Sequence, residues 1–462
     1  MIERVIEGHM PPDQAGAYHH FPFEVPPGTG RLEVSYEYDA AIDSNPFLTG
    51  GNTVDIGIFD QRGIDFLSAG FRGWSGSARQ SFFIAPDQAT PGYVPGPIAP
   101  GVWHIFLGFY KVSEGGCNFR VTVRCLPGGD GGATPPRWLT LADSVTLPPR
   151  PGGWYRGELH CHTCHSDGDS APGEVVRAAE RLGLDFLAVT DHNTITALAD
   201  LAQQRPQNLI LIPGCEMTTF KGHWCAWGLS EWIDFRALTT ERMDQAMRHA
   251  AAKGALVSIN HPRAYGPPWE LPQADTCDCI EVWNGPWMLN NWEALAFWEE
   301  RLQQGRRLTA VGGSDAHRLT AHSQEIARIG VPTTWVYCHG APTAQGILDG
   351  LRAGHAFVSE QPAGPQLYLW AGGALMGDRM PPPPDGEAAL RVRAVGAAGL
   401  TLELHDASGL RAALPVAGDD ETQQIPLDVS ESGYIRAQLM EPGPGGTPVV
   451  RALTNPLYIG QP

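Results

Sequence analysis

Seven short apolar segments alternate with five helical patterns between residues 154 and 360, and this alternation limits the fold more than any other feature. Strands separated by helices imply parallel pairing, because a crossover must carry the chain back across the sheet. About seven such units favour a barrel over an open sheet. The predicted strands are 157–162, 185–190, 208–214, 255–260, 278–284, 307–313 and 333–338. The predicted helices are 174–182, 195–204, 241–253, 292–304 and 344–353.

The segments on either side of this region alternate between apolar and polar residues with a period of two. Leu32, Val34 and Tyr36 show this pattern near the N-terminus, and Leu400 and Leu402 show it near the C-terminus. Short alternating strands between Gly, Pro and Asp turns indicate antiparallel sheets. The sequence therefore predicts an α/β protein: a β-sandwich at 1–126, a linker at 127–153, a β/α barrel at 154–360 and a small β domain at 361–462.

The charge balance limits the partners of the chain. The 462 residues include 32 Lys and Arg against 50 Asp and Glu, a net charge of −18. This charge argues against nucleic acid or an anionic membrane as the main partner, because both attract basic surfaces. The N-terminus lacks the pattern of a secretory signal, and no apolar run approaches the ~18 residues of a membrane span. We therefore expect a cytoplasmic protein with reduced cysteines and a small-molecule substrate.

Histidine is distributed unevenly, since 11 of the 16 histidines lie between residues 151 and 360. His160 and His162 are two apart on a predicted strand, so both point to the same face. Candidate ligands lie at or beyond five strand ends: His160, His162, Asp167, His192, Glu216, His223, His261, Asp315 and His317. The carboxyl ends of barrel strands meet at one mouth. Six imidazoles and three carboxylates there suit two or three ions with mixed N/O ligands, such as Mn, Zn or Fe.

A competing motif overlaps the first of these segments. Cys161, Cys164 and His165 match C-x-x-C-H, the pattern of covalent haem attachment. Haem attachment of this kind belongs to exported proteins, and the N-terminus has no export pattern. Because Cys161 alternates with two candidate ligands, we expect its side chain to face away from the metal site.

Three residues near the predicted mouth are candidate catalytic groups. Arg263 follows His261 and Arg318 follows His317, and a guanidinium binds phosphate oxygens in a bidentate manner. The alternative for each arginine is a surface salt bridge. His165 is a candidate acid for the leaving group, or else a histidine of the loop surface.

Five ordered segments together resemble the motifs of the PHP (polymerase and histidinol phosphatase) metallohydrolases. They are His-x-His-Thr with Ser-Asp-Gly, Thr-Asp-His-Asn, Gly-Cys-Glu, Asn-His-Pro and Gly-Ser-Asp-Ala-His. The sequence at 154–157 and 281–285 resembles the carbaryl-hydrolase-related (CehA/McbA) branch. The resemblance implies a distorted seven-stranded β/α barrel with a trinuclear metal centre.

The same resemblance implies which residues share each ion. One ion would take His160, His162, Glu216 and Asp315; a second would share Glu216 and add His223 and His261; a third would take Asp167, His192 and His317. Glu158 stands where relatives often carry Asp. Asp191 is expected to orient a neighbouring ligand or to cap a turn.

The predicted chemistry is hydrolysis by a metal-activated water, which needs no protein nucleophile. No Gly-x-Ser-x-Gly elbow or Walker loop occurs in the sequence. We predict a metal-dependent phosphoesterase, a phosphodiesterase or phosphatase acting on small organic phosphate esters. The alternative is a carbamate, carboxylic-ester or amide hydrolase on the same centre. A non-catalytic binding protein would lack ligands, whereas all nine are present. The sequence leaves open the metal identity and a homo-oligomer.

Overall fold

The computed structural model describes residues 1–128, 145–229, 231–319, 327–443 and 447–460. These residues contain 27 strands, five α-helices and a 3₁₀ helix at Pro12–Gln14. Most of the predicted linker, from 129 to 144, lies outside the described residues. In the described part, no helix has the length and apolar character needed to cross a bilayer. All nine cysteines are described, and all are free thiols.

Two antiparallel four-stranded sheets form the N-terminal region. The strands are β1 (Ile2–Met10), β2 (Ala17–Val25), β3 (Thr29–Tyr38), β4 (Thr53–Phe59), β5 (Phe71–Gly76), β6 (Ser81–Ile84), β7 (Gly101–Lys111) and β8 (Cys117–Pro127). One sheet has the order β1-β8-β3-β6 and the other β2-β7-β4-β5. Leu32 and Val34 of the first sheet share a core with Val54 and Ile56 of the second, as their period of two predicts.

The second of these sheets is buried on both faces. Its outer face carries Phe59, Phe71 and Phe106, which belong to the core of the central region. The ring of Phe71 stacks on Trp232 of that region at 4.0 Å between centroids. The Trp232 indole also donates a hydrogen bond to the carbonyl of Asn193 at 3.0 Å. The N-terminal region is therefore packed firmly onto the central one.

Strands and helices alternate in the central region. The strands are β9 (Trp154–Glu158), β10 (Phe186–Val189), β11 (Ile210–Thr219), β12 (Gly222–Trp227), β13 (Leu256–Ile259), β14 (Cys279–Asn284), β15 (Thr309–Gly313), β16 (Thr333–Tyr337) and β17 (Ala356–Ser359). The helices are α1 (Pro172–Arg181), α2 (Ala197–Gln204), α3 (Thr240–Ala252), α4 (Asn291–Gln303) and α5 (Ala344–Ala353). Each predicted helix is present within two residues of its predicted bounds.

The central sheet is only partly parallel, with the order β15-β14-β13-β12-β11-β10-β9-β16-β17. β12 is antiparallel to β11 and β13, and β16 is antiparallel to β9 and β17. The prediction of parallel pairing is wrong at β16, whereas β12, which carries His223, belongs to a hairpin with β11. For β12 the reason is local: only two residues, Phe220 and Lys221, separate it from β11, and so short a connection permits only a hairpin.

A closed barrel is not confirmed. Among the described strands, β15 pairs through its backbone with β14 alone. Its other edge reaches β16 through one side chain, because the Thr334 hydroxyl accepts from Gly312 N at 2.9 Å and donates to Gly312 O at 2.7 Å. The ring of backbone hydrogen bonds is open at this point.

The C-terminal strands extend the central sheet. They are β18 (Gln366–Ala371), β19 (Ala374–Leu375), β20 (Arg379–Met380), β21 (Glu387–Val395), β22 (Thr401–Asp406), β23 (Gly409–Pro415), β24 (Asp420–Asp428), β25 (Tyr434–Pro442), β26 (Pro448–Thr454) and β27 (Leu457–Ile459). β26 pairs with β17, and β25, β22 and β23 follow in the same sheet. β19-β18-β21-β24 form a separate sheet. Hydrogen bonding thus crosses the predicted boundary at 360.

We expect Trp232→Ala to destabilise the chain by about 3–5 kcal/mol, because it removes a buried aromatic ring between two regions. The measurement is urea-induced unfolding followed by circular dichroism. Trp292→Ala is the matched control: 45% of Trp292 is exposed, so its loss should change stability by less than about 0.5 kcal/mol. Equal effects of the two substitutions would contradict the packing role of Trp232.

Candidate metal centre

The predicted ligands converge where the central strands end, with two corrections to their local structure. β9 ends at Glu158, so His160 and His162 lie beyond the strand and not on it. Extended pairing continues locally, since His162 N donates to Ala316 O at 3.0 Å, and both imidazoles still face the centre. Glu216 lies inside β11 instead of at a strand end, because β11 continues to Thr219 as half of the hairpin.

Glu216 is the fully buried carboxylate at the middle of the cluster, with 0% of its surface exposed. Five imidazole nitrogens surround its two oxygens: His192 Nδ1 at 2.8 Å, His160 Nε2 at 3.3 Å, His261 Nε2 at 3.3 Å, His223 Nδ1 at 3.4 Å and His162 Nε2 at 3.7 Å. Asn260 Nδ2 donates to Oε1 at 2.9 Å. A carboxylate removed from water in this way needs positive charge beside it.

Asp315 adds a second carboxylate on one side of Glu216. Its Oδ1 lies 3.0 Å from His162 Nε2 and 3.3 Å from His160 Nε2. His160, His162 and Glu216 form one group able to hold an ion, and Asp315 adjoins that group through both imidazoles. Such a mixed set of nitrogen and carboxylate ligands suits a first-row divalent ion.

Asp167 forms the centre of a neighbouring group. Its Oδ1 lies 3.5 Å from His192 Nε2 and 3.4 Å from His317 Nε2. His162 joins them, so that four possible ligand atoms lie within 4.8 Å of one another. A further group of the same kind contains Glu216, His223 and His261. The structure therefore brings all nine predicted ligands together, with Glu216 and His162 shared between groups.

The state of His160 shows that the cluster fits a cation. Its Nδ1 lies 2.9 Å from Glu281 Oε1, so the ring donates its proton outward to that carboxylate. Its Nε2 is buried and has no hydrogen-bond partner among the described residues. An imidazole held by a carboxylate at one nitrogen, with its other nitrogen directed at a group of ligands, has the usual orientation of a metal-ligating histidine.

The titration behaviour of the cluster agrees with a site built for positive charge. Burial lowers the pKa of His192, but Asp167 and Glu216 outweigh burial and raise that pKa to about 9. Burial raises the pKa of Asp167, yet His317 and His192 overcome it and hold the pKa at about 2. Without metal, protons on the imidazoles balance the carboxylates, and a bound cation takes over that role.

Glu281, on β14, is a site residue that the ligand prediction missed. It is buried, its Oε1 holds His160, and its Oε2 accepts from His261 N at 3.1 Å. With His160 and His261 it forms another group able to hold an ion. A sequence signal was available: a lone acidic residue inside an apolar strand needs a buried partner.

Glu158 joins three segments at the base of the centre. Its Oε1 accepts from His160 N and from Ser314 N, both at 2.9 Å. Its Oε2 accepts from Gly330 N at 2.6 Å. The carboxylate therefore fixes the backbones that carry two ligand segments.

Asp191 caps a turn, which is one of the two roles expected for it. Its Oδ1 accepts from Thr163 N and from Ser166 Oγ, both at 2.7 Å. This turn leads directly into Asp167, so Asp191 positions that ligand through the backbone.

Two ligands have a strained backbone. His261 has φ of 30° and Asp315 has φ of 55°, values that non-glycine residues adopt rarely and at a cost of about 1–3 kcal/mol each. Hydrogen bonds hold both: Glu281 accepts from His261 N, and Asp315 N donates to His160 O at 2.8 Å. Nearby, a Cβ at Gly313 would lie 2.4 Å from the Cβ of His160, so only glycine fits there.

Two of the three candidate catalytic residues, His165 and Arg263, use their polar atoms in hydrogen bonds to other residues of the protein. Only 6% of His165 is exposed, and its ring nitrogens lie 2.8 Å from Thr196 Oγ1 and 3.0 Å from Asp200 Oδ2. Both nitrogens are thus engaged, which favours a structural role. Its role as leaving-group acid stays a prediction.

Arg263 and Arg318 differ sharply in their surroundings. Arg263 is buried, and its guanidinium donates to Asn284 O at 2.9 Å, Asn284 Oδ1 at 2.6 Å and Asn291 Oδ1. This geometry favours a role in holding the loop beside His261. Arg318 is exposed and makes no hydrogen bond or ion pair with the described residues. Its guanidinium is available to a ligand.

Comparison with known proteins places a PHP domain at residues 158–255. Short segments match curated relatives: an error-prone DNA polymerase of Nocardia farcinica (44% identical over 71 residues) and the 5'-3' exoribonuclease Rnm of Escherichia coli (38% over 65). These matches cover 14% and 13% of the chain, which spans 6% and 22% of the length of those relatives.

A solved structure from Bacteroides vulgatus, described as a two-domain protein containing a predicted PHP-like metal-dependent phosphoesterase, is 18% identical. The match covers 68% of this chain and all of that chain, with a TM-score of 0.36.

Metal binding at pH 7 should release protons, because the raised pKa of His192, about 9, keeps that ring protonated in the metal-free chain. Apparent affinity should therefore rise with pH up to about 9 and fall as the pH is lowered. Calorimetric titration with Zn²⁺ in buffers of different ionisation enthalpy counts the protons. His192→Gln should reduce the count, and His405→Gln, outside the cluster, should leave it unchanged. A titration independent of the buffer would contradict the charge balance described.

Proposed function

We propose that the chain is a metal-dependent phosphoesterase that hydrolyses small organic phosphate esters. The observation that supports this most strongly is the sharing of Glu216 between adjacent groups of nitrogen and oxygen ligands. Adjacent groups with a common carboxylate suit ions held a few Å apart. The PHP domain at 158–255 contains part of this cluster and points to the same chemistry.

The ligand sets would hold two or three ions of Mn, Zn or Fe. They are His160, His162, Glu216 and Asp315; Glu216, His223 and His261; and Asp167, His192 and His317. Bound divalent ions supply a hydroxide nucleophile at neutral pH and offset the charge on phosphoryl oxygens.

The chain contributes orientation and charge to this chemistry. Glu281 keeps the Nε2 of His160 directed at the centre. Arg318 adjoins His317, and its guanidinium, which makes no hydrogen bond or ion pair within the described part of the chain, suits a phosphoryl oxygen of the substrate. With metal bound, the nucleophile would be a hydroxide derived from water, so no side chain would need to become covalently attached to the substrate.

The net charge of the chain favours small substrates. Two relatives are by name a DNA polymerase and an exoribonuclease. A net charge of −18 opposes long polyanions, since their binding depends on clustered Lys and Arg. Small monoesters and diesters meet less repulsion. Hydrolysis of carbamates and carboxylic esters would use the same centre. Comparing the turnover of phosphate esters with that of a carbamate separates the two classes of hydrolase.

We expect the manganese-loaded chain to hydrolyse p-nitrophenyl phosphate or bis-p-nitrophenyl phosphate in preference to 1-naphthyl methylcarbamate and to a 5'-phosphorylated oligonucleotide. Asp315→Ala should lower turnover by about 100-fold or more and reduce bound metal, because it removes a ligand. Glu270→Gln, an exposed carboxylate paired with Lys221, is the control and should leave both unchanged. Preference for the carbamate would transfer the proposal to carbon–oxygen or carbon–nitrogen hydrolysis. Full activity of Asp315→Ala after loss of metal would contradict the metal mechanism.

Arg318→Ala should lower kcat/KM for the phosphate ester by about tenfold or more without changing the melting temperature, because the residue is exposed and its charge-assisted contacts are available to substrate. Arg318→Lys should restore part of the loss. Arg263→Ala should instead destabilise the chain by about 2–3 kcal/mol, because it leaves buried acceptors without a donor. Unchanged turnover of Arg318→Ala would make Arg318 an ordinary surface residue.

A further inference from the structure

The N-terminal sheet directs a carboxylate toward the metal centre. On β4, Val54, Ile56 and Ile58 face the N-terminal core, so the alternate residues Asp55 and Phe59 face the central region. Asp55 pairs in register with Gly108 of β7.

The space beside this pair is narrow. A Cβ at Gly108 would lie 3.0 Å from the Tyr18 ring and 3.1 Å from the Phe220 ring. Because Gly108 has no side chain, the ring of Tyr18 from the N-terminal region and the ring of Phe220 from the central region can pack against the face that carries Asp55.

The described residues offer the Asp55 carboxylate neither a hydrogen bond nor an ion pair. Asp55 is 8% exposed. No described histidine, lysine or arginine nitrogen lies within 4.0 Å of it. Buried carboxylates are nearly always paired, because an unpaired charge away from water is costly. An unpaired one facing a metal centre suggests a group kept for a ligand.

Two ionisable groups of the metal centre shift the pKa of Asp55, and the carboxylate in turn raises the pKa of the nearby Tyr18 and Tyr110. Burial raises the pKa of Asp55 to about 7, His192 acts to lower it, and Asp167 acts to raise it further. His192 and Asp167 are members of one ligand group, so the carboxylate faces that side of the centre. In the metal-free chain, a carboxyl group with this pKa carries a proton in a substantial fraction of molecules at neutral pH.

A hairpin fixes the distance between the sheet and the centre. Phe220, at the turn between β11 and β12, stacks on Tyr18 at 4.6 Å and on Tyr110 at 5.6 Å between ring centroids. The same hairpin carries Glu216 on β11 and His223 on β12. The sheet that presents Asp55 is therefore joined directly to the element that presents two ligands.

We propose that Asp55 is a catalytic residue supplied by the N-terminal sheet, which protonates the leaving-group oxygen of the phosphate ester. This inference rests on the proposed function. As hydroxide forms its bond to phosphorus, the bond from phosphorus to the leaving oxygen breaks, and that oxygen keeps the electron pair. It then takes the proton from the Asp55 carboxyl group, and water reprotonates the carboxylate for the next turnover. Asp55 thus fills the role for which His165, with both nitrogens engaged, is poorly placed.

The test compares leaving groups in the full-length, manganese-loaded chain. Asp55→Asn should lower kcat for phenyl phosphate by about 100-fold or more, because a poor leaving group depends on the acid. For p-nitrophenyl phosphate, whose leaving group needs little protonation, the loss should be less than about tenfold. Bound manganese and melting temperature should match those of the wild type. Asp65→Asn, an exposed carboxylate of the same region, is the control for charge and should change neither rate.

Three outcomes decide the matter. A selective loss on phenyl phosphate, repeated in Asp55→Ser, supports the proposal. An equal loss on both esters, or no loss, overturns the role of Asp55 and leaves the phosphoesterase function intact. Absence of turnover of any ester by the metal-loaded wild type overturns the proposed function and the role of Asp55 with it.

Discussion

The site depends on one constraint: Glu216 is fully buried and five imidazoles point at it. Such a carboxylate is stable only beside positive charge, and the imidazoles themselves cannot all be protonated at such short separations. Burial and the neighbouring His317 and His192 already hold the pKa of His162 at about 4. The cluster therefore suits bound cations, and the surrounding carboxylates support that binding. Glu281 orients the imidazole of His160, and Glu158 holds the backbones of two ligand segments. Both residues thereby position ligands around Glu216.

The flanking regions are structurally part of the site. The second N-terminal sheet is buried on both faces, and the rings of Phe71 and Phe106 share a core with the central strands. On the other side, pairing of β17 with β26 makes the C-terminal strands a continuation of the central sheet. A strained ligand such as His261 needs a scaffold that over-determines its backbone, and packing from both sides supplies that rigidity. The same packing turns the face of β4 that carries Asp55 toward the central region.

The sequence was most informative where the signal is local. Helical periodicity located α1 to α5, and a ligand at or just beyond each of five strands identified the nine side chains that converge. It was least informative where pairing is long-range. Neither the antiparallel orientation of β16 nor the open edge of β15 can be derived from periodicity, because both depend on contacts between distant segments. The functions suggested for His165 and Arg263 came from sequence proximity to ligands. Their hydrogen-bond partners, Asp200 in α2 and Asn284 at the end of β14, belong to other segments of the chain, which proximity does not show. The sequence did not indicate a role for Asp55 either, because Asp55 is far from every predicted ligand along the chain.

Anomalous X-ray diffraction from crystals of the full chain equilibrated with Mn²⁺ tests whether Glu216 lies between bound ions. We expect anomalous peaks inside the cluster, with Glu216 touching more than one of them and with His160 bound through Nε2 while its Nδ1 stays on Glu281. Manganese bound only elsewhere, with Glu216 still surrounded by imidazoles and no peak beside it, would contradict the account.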